Sequence, residues 1–311
     1  MNLHHSRYRC YMIDLAAVES LIAIERTGTV HRASKELGFT PSAVSQQVKR
    51  LERDLGTALL ERAGRGVVLT AAGRRLADEG RELRDRVESL RSRLHAVDAA
   101  PTGTLRLGVF STALRGIVAP VIGEVRAQAP DLRLVVRELE PPEAVDAVAA
   151  GTLDVAVVHG WEGVGLTVPP ALRSEELLHD VADVLVPARS PLAARAALTP
   201  HDLADEPWVC TPEGTVCYEW FCHMYADAPR APRIDCWIDD FASHAALVAE
   251  GVVVALVPRL GRGVLPDGVV AVPLRDPVPT RSVAVVWRAT MTESPAVRFV
   301  RARLAAAAPV D

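Results

Sequence analysis

Long apolar runs are missing from this 311-residue sequence. The most apolar stretch, Gly251 to Pro258, is short enough for one buried strand. Nothing approaches the ~18 residues that a transmembrane helix needs. The opening, Met1 to Tyr11, is polar and has no apolar core of a secretory signal, so a cytoplasmic protein is expected. Lysine is scarce: of 35 basic residues, only Lys35 and Lys49 are not arginine. Cysteine is scarce and odd in number, at five, which in a reducing compartment implies no structural disulfide. No CxxC pair exists to support a zinc site, and no metal is expected. GxSxG, HExxH, a P-loop and a GxGxxG after a strand are all absent. No motif therefore supports catalysis, and no cofactor is expected.

What is there is ordinary globular chemistry, 49% hydrophobic and 24% charged, enough for two or three domains. The net charge of −4 hides an asymmetry. Residues 1–100 carry +4 and residues 101–311 carry −8. A basic first third on an acidic remainder suggests an anion-binding module fused to something else.

Patterned sequence begins at Ile13-Asp14-Leu15, just after a second methionine, Met12. Leu15, Val18, Leu21 and Ile22 share a helical face that ends at Gly28. Thr29 can cap a second helix, which Gly38 breaks, and Thr40 can cap a third with Pro41 in its first turn. The spacing is that of a helix-turn-helix. At about 100° per residue, Val44, Val48, Leu51 and Leu55 fall within an arc of about 60°. Ser42, Ser45, Gln46 and Lys49 lie nearly opposite. Such a small, polar, basic face can enter a major groove; a solvated helix face is the alternative. Leu59 to Arg62 and Val67 to Thr70 flank a glycine-rich tip carrying Arg65, which reads as a β-hairpin wing.

From about Ala71 to Val97 the sequence predicts one long helix. Leu76, Leu83, Leu90 and Val97 recur every seven residues, with Val87 and Leu94 between them and Gly80 a weak position. This is a two-stranded heptad seam for dimerisation; a helix packed on its own domain is the alternative. After the linker Ala99 to Gly103, strands and helices alternate. Strand 105–110, helix 113–128, strand 132–136, helix 142–150 and strand 155–159 give β-α-β-α-β, a parallel sheet. A second set runs from a strand at 181–186 to one at 252–256. Two such lobes leave a cleft at their strand ends for a ligand.

The first hundred residues resemble the LysR-type transcriptional regulators. The resemblance rests on Thr27-Gly28-Thr29, Ala33-Ser34, Leu37-Gly38, Thr40 through Ser45, Leu51-Glu52, Leu55-Gly56, Leu60-Glu61-Arg62, Arg65 and Leu69 through Gly73. Later, Val248 to Gly251 and Ala255 to Pro258 are similar to a segment of the same family. The resemblance implies an α+β multidomain chain. Residues 1–12 would be an extension, 13–70 a winged helix-turn-helix and 71–99 a coiled-coil linker helix. Residues 101–311 would form a two-lobed α/β effector domain like that of periplasmic binding proteins. Its lobe I would cover about 101–177 and 274–311, and its lobe II about 178–273.

The resemblance further implies a homodimer or homotetramer that binds double-stranded promoter DNA, works with RNA polymerase, and senses a small molecule in the cleft. Carried over by position, Pro41, Ser42, Ser45, Gln46 and Lys49 would face DNA from the third helix. Arg65 would serve the wing, Arg62 would support it or meet phosphate, and Thr29 and Arg32 would touch the backbone. Two departures stand out: Leu60 replaces a common Phe, and Gln46 replaces a common Arg. For the effector, the resemblance points to Ser111 and Thr112 after the first strand, and Thr211 would face them from the other lobe. His159 ends the third strand and Asp240 starts the helix after Ile238. Each of these can equally be a cap or turn residue. Asp239 with Asp240 would favour a ligand bearing an amine or guanidinium. Cys210, Cys217, Cys222 and Cys236 gather in the second lobe, in roughly the region where one branch of the family senses peroxide; buried structural thiols are the expectation here. The competing functions are a binding protein whose N-terminal helices serve only assembly, and an enzyme.

Overall fold

The computed structural model describes residues 13–64, 66–94, 100–228 and 231–309. The chain divides into two compact units, Met1–Arg91 and Ser92–Asp311.

Three helices open the first unit: α1 (Leu15–Thr27), α2 (Val30–Leu37) and α3 (Pro41–Leu55). Each starts where a short polar side chain satisfies an orphan backbone donor. Asp14, Thr29 and Thr40 accept from the N–H groups of Ala16, Arg32 and Ala43 at 3.0, 3.2 and 3.2 Å. Each stops at a glycine, and Gly38 holds φ at 71°, the left-handed turn that joins α2 to α3. Leu21, Ile24, Ala33, Val44, Val48 and Leu51 bury into one core. Leu55, on the same arc of α3, lies in the last turn and is exposed.

Strands β1 (Leu60–Ala63) and β2 (Gly66–Leu69) pair antiparallel as the expected hairpin. Glu52 on α3 accepts the N–H groups of Leu59 and Leu60 at 2.8 and 3.1 Å, which ties the hairpin to that helix. Helix α4 (Ala71–Leu94) is capped by Thr70, whose hydroxyl accepts from the Gly73 N–H at 3.0 Å. Its first turns complete the core: Ala77 is fully buried and Leu76 packs partly against the same cluster. Leu83, Leu90 and Leu94 are exposed, and Val87 is half-buried. Leu76 thus packs within its own unit, while the later leucines present an apolar row. Val97 lies outside the described residues.

The second unit follows as β3 (Gly103–Val109), the single turn α5 (Ser111–Ala113), a π-helical stretch Leu114–Val118 and α6 (Ala119–Gln128). Next come β4 (Leu132–Glu138), α7 (Pro141–Ala149), β5 (Val155–Trp161) and β6 (Leu172–Pro187). After two short 3-10 turns the chain forms β7 (Pro207–Cys210), α8 (Val216–Met224), β8 (Arg233–Trp237) and α9 (Phe241–Ala249). It ends with β9 (Val254–Pro258), β10 (Val269–Pro273), β11 (Thr280–Arg288) and α10 (Pro295–Ala307).

The strands run in the order β4-β3-β5-β11-β6-β9-β7-β8, with β10 also on β6. β3 pairs parallel with β4 and β5, and β7 pairs parallel with β8 and β9, as the strand–helix alternation implies. β6 begins at Leu172, well before the strand expected at Val181. Its first part, Leu172 to Val181, pairs with β11; its second, from Ala182, pairs with β9 and β10. One strand therefore belongs to both lobes. Separate apolar clusters fill the lobes, one around Leu107, Ile117 and Val285, another around Trp208, Trp220 and Val184. Among the described residues no helix is long and apolar enough to cross a membrane.

Candidate functional site

In the first unit, capping and burial fix which way α3 faces. Val44 and Val48 are buried, so Pro41, Ser42, Gln46 and Lys49 stand exposed and Ser45 is half-buried. Neighbouring Gln47 turns inward: its Oε1 accepts the Ser20 hydroxyl at 2.6 Å. Gln46 and Lys49 line a concave surface with Arg50, Arg53, Gly56 and Thr57. The sequence pattern does not single out Arg50 or Arg53, although both fall within a helical turn of Lys49. Arg32 and Arg62 are exposed, and the Thr29 hydroxyl serves as the α2 cap. Arg65 lies outside the described residues. Short polar side chains permit close approach to a groove floor, an amide can read base edges, and the cations can neutralise phosphates.

In the second unit, Ser111, His159, Thr211 and Asp240 converge on one cavity of about 180 Å³ between the lobes. Thr112 does not line it. It is 1% exposed, and its hydroxyl accepts from Nη2 of Arg281 at 2.8 Å. Thr211 Oγ1 lies 2.9 Å from Thr215 Oγ1, and Thr215 caps α8. Asp240 caps α9, accepting both the N–H and the hydroxyl of Ser243 at 2.9 Å. Burial alone would raise its carboxyl, but these bonds hold it below the usual range. The cap and the cavity wall are thus the same side chain.

The cavity also takes in Glu138, Glu140, Asp239, Arg115 and Arg281. Glu138 and Glu140 come from the end of β4 and the start of α7, and Arg281 comes from β11. The sequence pattern singles out none of these three. Glu138 and Glu140 carry a signal, since the carboxyl ends of parallel strands face such clefts. Arg281 is 1% exposed; its Nε and Nη2 donate to Asp180 at 2.9 and 2.7 Å. Its guanidinium carbon sits 5.2 Å from the Phe110 ring centroid and 5.4 Å from that of Trp161. Its Nη1 is buried and has no hydrogen-bond partner among the described residues, and the same holds for Nδ1 of His159. Burial and the Arg281 charge push the His159 imidazole far down, so the ring is neutral. Burial, then Asp239, Glu143 and Glu138, push the Glu140 carboxyl up to about 7.

Cys210, Cys217, Cys222 and Cys236 are free thiols. Burial pushes Cys210 up to about 12 and Cys217 up to about 11. Among the described residues no three His, Cys, Asp or Glu side chains gather as a metal ion would require.

The family model for the bacterial regulatory helix-turn-helix protein, lysR family, matches residues 15–74. The model for the LysR substrate binding domain matches residues 98–309. A small neutral protease regulatory protein of Streptomyces coelicolor is 32% identical over 304 residues, covering 94% of this chain and 92% of that one. A full-length OxyR variant from Pseudomonas aeruginosa superposes with a TM-score of 0.70 at 21% identity, covering 95% and 94% of the two chains. Full-length CbnR in complex with its target DNA gives 0.52 at 19% identity, covering 95% and 100%. The helix-turn-helix and the two-lobed domain that the residues build are those of the LysR family of transcriptional regulators, to which this chain belongs.

Proposed function

We propose that a homodimer or homotetramer of this chain binds promoter DNA, and that a small molecule between the lobes of 101–311 controls transcription by RNA polymerase in the cytoplasm. The winged helix-turn-helix of 13–70 would supply the DNA contacts. Pro41, Ser42, Ser45, Gln46 and Lys49 would meet the major groove, Arg62 and Arg65 the wing side, and Thr29 and Arg32 the backbone. The helix of 71–99 would join the protomers through Leu83, Val87, Leu90, Leu94 and Val97. Leu76 would open that seam while also packing on the core of its own unit.

The observation that carries the DNA reading is the two-sided α3, with Val44 and Val48 buried behind exposed Ser42, Gln46 and Lys49. The CbnR complex with DNA supports it by analogy of fold. The test is binding of the full-length protein to the duplex upstream of its own gene at two salt concentrations. Site-selective binding that weakens steeply with salt, and weakens further in Lys49→Ala, is expected. Binding indifferent to salt and to Lys49→Ala would overturn the proposal.

A further inference from the structure

We infer that the cavity between the lobes takes a small zwitterion, its ammonium group against Glu140 and Asp239 and its carboxylate against Nη1 of Arg281. This rests on the reading of that cavity as the effector site and narrows it to one chemical class.

The charges lining the cavity do not balance. Glu138, Glu140, Asp239 and Asp240 face Arg115 and Arg281. Arg281 is already matched by Asp180, and Arg115 approaches Asp240 at 4.0 Å. Glu138, Glu140 and Asp239 have no ion pair among the described residues; half-buried Glu140 and the exposed Glu138 and Asp239 leave an acidic wall that a cation would neutralise. The acidic wall is not the whole site, because a second observation points the other way. Arg281 is 1% exposed, lines the cavity, and keeps one buried nitrogen without an acceptor among the described residues. A buried donor in that state favours an incoming oxygen, most strongly an anionic one.

Each simpler ligand leaves one half of the site unmet. A dicarboxylate would satisfy Arg281 and crowd the acidic wall. A diamine would satisfy the wall and leave the guanidinium nitrogen unpaired. An apolar molecule would desolvate both. A molecule with an ammonium and a carboxylate meets both at once. The size agrees: about 180 Å³ is the share of roughly six water molecules, the scale of a small amino acid. Phe110 and Phe241 supply an apolar wall for its carbon chain.

The test is calorimetric titration of the full-length protein with ligands of one carbon skeleton: gamma-aminobutyrate and L-alpha-aminobutyrate, butyrate, succinate, and putrescine. Either amino acid is expected to bind at least about tenfold more tightly than every single-function probe, since a charge-assisted hydrogen bond is involved at each end. Glu140→Gln is expected to lower that affinity about tenfold. The Glu140 side chain makes no capping bond to α7, so the change removes the ionisable carboxyl without removing a helix cap. Arg281→Lys should lower it too, but loosens the pair with Asp180; Glu140→Gln and Asp239→Asn therefore decide. Equal or tighter binding of succinate, butyrate or putrescine overturns the class, as does no amino-acid binding at millimolar concentration. In those cases salt-sensitive DNA binding by the same preparation leaves the regulator proposal standing. Its absence strikes that proposal instead.

Discussion

Arg281 and Asp180 form a buried ion pair where β6 passes from one lobe to the other. Two guanidinium nitrogens donate to one carboxylate oxygen at 2.9 and 2.7 Å, and the other oxygen accepts the Leu260 N–H at 3.0 Å. The next residues of β6, from Ala182, already pair with β9. One carboxylate thus ties β6, β11 and the segment after β9 together. Removing it strands a buried guanidinium whose remaining hydrogen bond among the described residues goes to the Thr112 hydroxyl. Breaking such a pair from one side costs about 3–5 kcal/mol. Asp180→Ala is therefore expected to destabilise the C-terminal unit by about that amount in urea unfolding. A loss below about 1 kcal/mol would mean that the pair does not hold the lobes.

Glu140 makes a pH prediction. Its folded carboxyl is pushed up to about 7 by burial and by Asp239, Glu143 and Glu138, from an ordinary value of 4.5. The folded state therefore holds a proton that the unfolded state has lost between those two values. This contribution to stability is fully present below pH 4.5 and is lost as pH rises through about 7. The size is on the order of 1–3 kcal/mol, since the side chain keeps some solvent contact. Glu140→Gln should flatten the stability profile across that window, followed by denaturant midpoints at a series of pH values. An unchanged slope would show that Glu140 titrates normally. Binding of an ammonium group beside it should release a proton near neutral pH, seen as a buffer-dependent heat that vanishes in the variant.

The first unit is legible in the sequence because its signals are local. Thr29, Thr40 and Thr70 lie within three residues of the donors they satisfy, and glycine stops follow directly on α1, α2 and α3. The second unit is legible only as an alternation. The first part of β6 reads Arg173-Ser174-Glu175-Glu176, with no apolar period, because pairing with β11 rather than a buried face makes it a strand. Arg281 is hidden for a related reason: its partner Asp180 stands 101 residues away in sequence. Ser111, Thr211 and Asp240 can be found because strand ends and caps mark themselves.

Gly80 shows a local signal with a non-local cause. In the heptad it is a weak position; in the fold it is where α4 meets α1, and a Cβ there would collide with Cγ1 of Val18. Gly80→Ala gains up to about 1 kcal/mol of helix propensity. Overpacking costs about 1–3 kcal/mol. A net loss of about 1–2 kcal/mol is expected in thermal unfolding of the N-terminal unit, partly relieved by Val18→Ala in the double variant. A stabilised single variant would mean that the helices part without cost.

The thiols are expected to be quiet. A sensing cysteine needs a depressed pKa and access to solvent. Burial holds Cys210 and Cys217 at about 12 and about 11, on the wrong side of the ordinary thiol. Cys222 is exposed. Cys217→Ser should leave DNA binding and its response to peroxide unchanged. In the native protein iodoacetamide at neutral pH should label Cys222 well before Cys210 or Cys217, read by mass spectrometry. Fast labelling of Cys217, or a peroxide response lost in Cys217→Ser, would reverse this view.

On α3, Gln46 and Lys49 should fail differently when removed. An amide that reads a base edge discriminates by about 1–3 kcal/mol at one position of the site. A lysine against phosphate contributes to every sequence alike and to the salt slope. Gln46→Ala is therefore expected to relax base preference at one operator position while keeping the slope of log affinity against log salt. Lys49→Ala is expected to weaken binding to all sequences and to reduce that slope by about one. Selection from a randomised duplex pool with each variant, followed by titration at several salt concentrations, separates the two. Identical profiles for both variants would mean that neither side chain reaches the groove floor. Gln47→Ala is the internal control: its Oε1 holds the Ser20 hydroxyl, so its loss should lower stability and leave base preference intact.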